Sequence, residues 1–176
     1  MTYLTKLASP LGPLTLASDG AAVTGLWLEA QKYFAAGLER ETAERTDLPV
    51  FHQAAAWLDA YFTKRERPSL PSLSPRGSDF RQKVWALLLE IPFGETTTYG
   101  ALTEKLKAAG VPASPQAVGG AVGHNPISIL IPCHRVVGAD GSLTGYAGGN
   151  EKKRCLLELE GADLSRLYTP KRGTAR

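Results

Sequence analysis

The chain has 176 residues, 43% of them apolar, a formal net charge of +3 and only two cysteines. That composition supports a buried core in one ordinary domain or two small ones, and it argues against disorder and against a disulfide-stapled secreted scaffold. No Cys/His spacing resembles a zinc site, no apolar run reaches a membrane span, and Met1 to Leu16 lacks the pattern of a signal peptide. The expectation is a soluble cytoplasmic protein, with no metal, no cofactor and no membrane partner. Charge is uneven: residues 1–73 carry 7 Lys/Arg against 8 Asp/Glu, whereas 74–176 carry 13 against 9. The second half is the better match for a polyanion, although Lys171, Arg172 and Arg176 of a loose basic tail (166–176) supply most of that excess.

In chain order, Tyr3 to Leu7, Leu14 to Ala17 and Ala22 to Leu28 read as short strands, separated by the turn signals around Pro10-Leu11-Gly12-Pro13 and Asp19-Gly20. Residues 51–63 have apolar residues at helical spacing, with Ala54, Leu58 and Tyr61/Phe62 on one face. The Pro- and Ser-rich stretch from Arg67 to Gly77 reads as a linker. Ser78 is placed to cap a helix running to about Glu90, which Pro92-Phe93-Gly94 ends. A second helix covers Tyr99 to Ala108, and a third covers about Pro115 to Val122 with Pro115 in its first turn. Two short helices joined by a Gly-containing turn fit a helix-turn-helix, and Asp140-Gly141 adds the hairpin signal of a winged variant. A last helix spans Glu151 to Leu159. The fold class expected is therefore α+β: a small antiparallel sheet with a helix over 1–73, then a helical, winged helix-turn-helix-like domain over 74–165.

Two stretches carry the chemistry. Ile131-Pro132-Cys133-His134-Arg135 sets a thiol beside an imidazole, and a thiolate is the strongest nucleophile a side chain offers near neutral pH. Residues 127–131 are mainly β-branched or apolar, so the pair is expected at the end of a buried strand. A lone buried cysteine is usually a small hydrophobe, but here that reading must also account for a Pro, an imidazole and a guanidinium in consecutive positions. The third helix, Gln116-Ala117-Val118-Gly119-Gly120-Ala121, carries two adjacent glycines, each costing about 1 kcal/mol relative to Ala. It has almost no long side chain with which to read bases. Close approach of a partner or tight helix packing would each explain it. From these residues alone a cysteine hydrolase and a winged-helix regulator both remain open. Cys155, inside an amphipathic helix, is expected to pack in the core.

Together with the stretches Pro92 to Gly100, Ala117 to Gly120, Asn125-Pro126, Gly145 to Gly149 and Leu156 to Gly161, the Pro-Cys-His-Arg core resembles the O6-alkylguanine-DNA alkyltransferase family over roughly residues 78–161. The resemblance implies single-turnover transfer of an alkyl group from O6-alkylguanine in double-stranded DNA, and leaves O4-alkylthymine open as a second substrate. It implies Cys133 as acceptor, His134 as base through a bridging water, and Glu160 as the carboxylate that orients His134. Asn125 would hold the junction between the helix and the active-site strand, and Tyr99 would press on the flipped nucleotide. Val136, Tyr146, Ala147 and Gly148 would form the guanine pocket. Gln116, Ala117, Gly119, Gly120, Ala121 and Arg135 would face DNA. A monomer is expected. Family members commonly carry Arg where this chain has Gln116, which is shorter and uncharged but still able to hydrogen-bond an orphaned base.

Overall fold

A computed structural model describes residues 1–170. Its first unit comprises Met1–Arg76 together with Pro126–Leu130, and its second comprises Gly77–Asn125 and the chain from Ile131 onward. The sequence boundary near 73/74 thus misses one excursion, in which five residues of the second half belong with the first unit.

In the first unit, β1 (Thr2–Leu7), β2 (Leu14–Ser18) and β3 (Val23–Leu28) form an antiparallel meander, and β4 (Thr42–Glu44) adds a parallel edge to give the order β3-β2-β1-β4. The first three strands follow the sequence reading. β4 is three residues long and half-exposed, so its sequence carries no alternation to read. Helix α1 (Pro49–Phe62) buries Val50, Phe51, Ala54, Trp57, Leu58 and Tyr61, and Trp57 stacks on Tyr61 at 5.3 Å.

The second unit contains α2 (Asp79–Leu88), β5 (Thr97–Thr98), α3 (Tyr99–Ala108), α4 (Pro115–Gly123), β6 (Val136–Val137) and α5 (Asn150–Leu159). Three of its helices are capped by hydroxyls, as their sequences require. Ser78 accepts from Arg81 N, Thr98 from Ala101 N and Ser114 from Ala117 N. Between α2 and β5, Gly94 takes φ of +82°, a conformation open to glycine at little cost. β5 and β6 pair in parallel, with Thr97 opposite Val136, which ties the start of α3 to the chain just past Cys133. The indole Nε1 of Trp85 on α2 donates to the Ala121 carbonyl of α4 at 2.8 Å, fixing α4 by its backbone.

Three expectations need correction. Residues 127–131 are buried, but they are not a strand. Ile127 alone bridges to Leu26, Ile129 adopts φ of +70°, and Leu130 N and Cys133 N each bond a carbonyl two residues back. The apolar run encodes burial; a strand also needs a pairing partner along its length, and here only one residue finds one. The loose tail does not start at 166. Tyr168 N donates to Gly141 O, Leu143 N donates to Tyr168 O, and the Tyr168 hydroxyl donates to Asp140 at 2.6 Å. Leu164 and Leu167 pack on Val137, Leu143 and Leu157. The tail's Lys171, Arg172 and Arg176 lie outside the described residues. Finally, Cys155 is exposed rather than packed in the core, because it lies on the solvent side of α5.

The Asp140-Gly141 turn is present, with Gly138 N bonding Ser142 O, and the chain leaving it pairs with Tyr168. Gly141 is required there: at φ of +89°, a Cβ would lie 1.9 Å from the Arg166 carbonyl oxygen. No helix among the described residues is long and apolar enough to cross a membrane.

Candidate active site

Cys133 sits in a single turn of 3-10 helix, Cys133–Arg135, that follows the Pro132 corner, and it is 4% exposed. Side chains in such a turn fan outward at roughly 120° intervals, so the thiol and the adjacent imidazole point apart. Burial pushes the thiol above its ordinary value, while a hydrogen bond from Asn125, the charge of Lys153 and backbone N–H groups pull it back down. Asn125 also donates through Nδ2 to Ile131 O at 2.9 Å, so one amide fixes the chain before the thiol and touches the thiol itself.

His134 is fully buried. Its Nε2 lies 2.5 Å from Glu160 Oε2, and its Nδ1 has no partner among the described protein groups. With a carboxylate on Nε2, that nitrogen carries the proton and Nδ1 is the free base. Burial lowers the His134 pKa below 6.5, with Glu160 opposing and Arg135 and Lys153 assisting. Glu160 closes α5 and gathers four donors: His134, Arg135 Nε at 2.7 Å, Arg135 Nη2 at 3.2 Å and Gly94 N at 3.0 Å. Burial would raise its pKa, but the bonds from His134 and Arg135 outweigh that and hold it at about 2. Arg135 itself is 7% exposed, donates Nη1 to Ile91 O at 2.7 Å and lies over the Phe93 ring.

Tyr99 opens α3 and donates its hydroxyl to Thr144 O at 2.9 Å. Burial, then the neighbouring Cys133, push its pKa well above the usual phenol value. Tyr99, Pro115, Gln116, Gly119, Gly120 and Thr144 line a cleft of about 380 Å³. A Cβ on Gly119 would only touch the Tyr99 ring at 3.9 Å, and one on Gly120 would meet nothing within 4 Å. Packing inside the chain therefore does not require either glycine.

This arrangement is a buried thiol, an oriented neutral base and a bare helix beside an open cleft. The sequence pattern of the 6-O-methylguanine DNA methyltransferase DNA-binding domain matches residues 79–162, and that of the ribonuclease-like domain of the same proteins matches residues 2–72. The chain belongs to the 6-O-methylguanine DNA methyltransferase family. It is 45% identical to the methylated-DNA–protein-cysteine methyltransferase of Mycobacterium tuberculosis over 91% of this chain and 93% of that one. It is 42% identical to the Haemophilus influenzae protein of that name, over 90% of this chain and 86% of its relative. Among solved structures, that of Mycobacterium tuberculosis OGT in complex with DNA superposes with a TM-score of 0.80 at 42% identity, covering 94% of each chain.

Of the residues singled out by the family resemblance, Cys133, His134, Asn125, Glu160 and Tyr99 converge in the second unit. Tyr146 is buried with its ring edge-on to His134 at 6.4 Å, Val136 is buried directly after the turn, and Ala147 and Gly148 are half-exposed nearby in sequence. Gln116, Ala117 and Gly120 are exposed on α4 and Gly119 is half-exposed. Two residues expected to face DNA do not. Ala121 is buried, with its carbonyl taken by Trp85, and Arg135 is buried in the Glu160 cluster. Arg135 was expected at DNA on the family resemblance, and a buried carboxylate proves the stronger claim on its charge. Sequence reasoning missed Lys153, which is 0% exposed. The signal was there: Lys153, Leu156, Leu157 and Glu160 follow the i, i+3, i+4, i+7 spacing of a buried helical face.

Proposed function

We propose that this protein repairs O6-alkylguanine in duplex DNA by moving the alkyl group onto Cys133 Sγ, once per protein molecule. The observation that carries the reading is the buried relay: a thiol held by Asn125, and an imidazole whose Nε2 is committed to Glu160 while Nδ1 stays available. The target atom is out of reach in a stacked helix, so the nucleotide must be flipped out. A helix whose outward face is small apart from Gln116 can enter the minor groove closely, and Gln116 can occupy the gap left in the stack.

In this reading a water between Sγ and His134 Nδ1 carries the thiol proton to the imidazole. The thiolate attacks the alkyl carbon, so a C–S bond forms as the C–O6 bond breaks and its electron pair passes to guanine. The Tyr99 hydroxyl keeps its proton through neutral pH and, by turning from the Thr144 carbonyl to the leaving guanine, steadies the developing charge as a hydrogen-bond donor. The proton held on His134 then returns through water to the guanine ring, leaving unmodified guanine and a thioether. A thioether does not release its carbon readily, which makes the reaction stoichiometric.

The second unit carries this chemistry and the first is structural; the protein works as a cytoplasmic monomer. The test is incubation with a duplex containing O6-methylguanine, followed by intact-mass and peptide analysis. One methyl group on Cys133 is expected. No transfer, or transfer that survives Cys133→Ser, overturns the reading. A duplex containing O4-methylthymine in the same assay decides the second substrate.

A further inference from the structure

The buried face of α5 begins with an ammonium where a hydrophobic side chain would ordinarily sit. Lys153 Nζ donates to the carbonyl of Val136 and, at 2.9 Å, to that of Thr144. Among the described residues no carboxylate pairs with it. A buried ammonium is retained only where something compensates its charge, and two neutral carbonyls do so in part. The Cys133 thiol, itself buried three residues before the Val136 carbonyl that Lys153 holds, interacts electrostatically with it.

We propose that Lys153 is a positioning residue for the acceptor: its ammonium is the counter-charge of the Cys133 thiolate, and its two carbonyl bonds lock the segments that carry Val136 and Thr144 around that thiol. This rests on the reading of Cys133 as the alkyl acceptor. Burial lowers the Lys153 pKa, the thiolate opposes it, and the net value is about 8; burial raises the thiol and the ammonium lowers it. Each group, unfavourable when charged alone, favours the charge of the other, and such coupling is reciprocal. The remaining groups facing the pair are Tyr99 from α3, Asn125 after α4, and His134 on the turn, with Glu160 and Arg135 behind it. Lys153 also disfavours a proton resting on His134. The same cation therefore draws the proton off sulfur and keeps it from being trapped on the imidazole.

The direct test is the pH dependence of Cys133 carboxamidomethylation by iodoacetamide, followed by peptide mass spectrometry in the unmodified protein and in Lys153→Met. The midpoint should rise by about one pH unit in the variant, which corresponds to about tenfold less thiolate below the midpoint. A role limited to holding the two carbonyls would slow alkyl transfer without moving that midpoint, and an unmoved midpoint in folded Lys153→Met overturns the proposal. Should that variant fail to fold, the Lys153 13Cε resonance is followed against pH in the unmodified protein and in Cys133→Ser. The lysine should titrate at lower pH without the thiol, and identical midpoints overturn the proposal. Neither measurement uses DNA, so transfer from an O6-methylguanine duplex decides the acceptor reading separately.

Discussion

Glu160→Gln removes one charge from the centre of the site while changing almost no volume. In the unmodified protein the carboxylate receives His134 at 2.5 Å, Arg135 at 2.7 Å and Gly94 N at 3.0 Å. These bonds hold its pKa at about 2 against the ordinary 4.5, a difference linked to about 3 kcal/mol of folding stability. Because the folded pKa is the depressed one, that contribution is complete above pH 4.5 and disappears as pH falls towards 2. The variant leaves Arg135 a buried cation without a counter-charge, which independently costs about 3–5 kcal/mol. The two figures agree, and either is a large share of the roughly 5–15 kcal/mol that stabilises a typical domain. Urea unfolding at pH 7 should show the loss, and repetition between pH 5 and pH 2.5 should show the gap to the unmodified protein narrowing. Single-turnover transfer at pH 7 should fall by about 100-fold or more, since the imidazole loses its orienting partner. A gap below about 1 kcal/mol at pH 7, or one that does not vary with pH, would refute the reasoning.

Gln116→Ala should slow transfer about tenfold, the equivalent of one lost hydrogen bond, with Glu66→Ala as the surface control; equal rates in the two reject an intercalating role. Gly141→Ala places a Cβ against the Arg166 carbonyl at a left-handed φ. It should cost about 2 kcal/mol or more in a thermal melt, and should expose the segment from Leu164 to Tyr168 to limited proteolysis. The pH profile of transfer follows from His134, whose pKa lies below 6.5 because burial disfavours its charged form. The rate should be level around pH 7 and decline only at pH values below 6.5, as Nδ1 takes up a proton and ceases to be a base. A decline already complete at pH 7 would contradict that assignment.

Helices α2, α3 and α4 were legible because capping hydroxyls, Pro115 and the Gly94 stop mark their ends chemically. The first three strands were legible because turn residues bracket them. The local form of the active-site segment was not. Ile127 to Ile131 has the composition of a strand, and its actual path depends on Leu26, a residue remote in sequence. The thiol and its imidazole could be picked out by type, and the family resemblance carried Glu160 and Asn125. Arg135 and Lys153 were misjudged or missed for one shared reason. A cation reads as surface until its burial is known: the inward face of α5 decides it for Lys153, and the buried Glu160 carboxylate decides it for Arg135.

The Trp85 bond to the Ala121 carbonyl has an evolutionary consequence. It anchors α4 through a main-chain atom, and Val118, Ala121 and Val122 supply the buried contacts of that helix. The outward positions Gln116, Ala117 and Gly120 carry none of the core. Mutational drift or a combinatorial library can therefore rewrite that face without asking the fold to re-form. Gln116 stands on that replaceable face, so its identity can change without loss of the core.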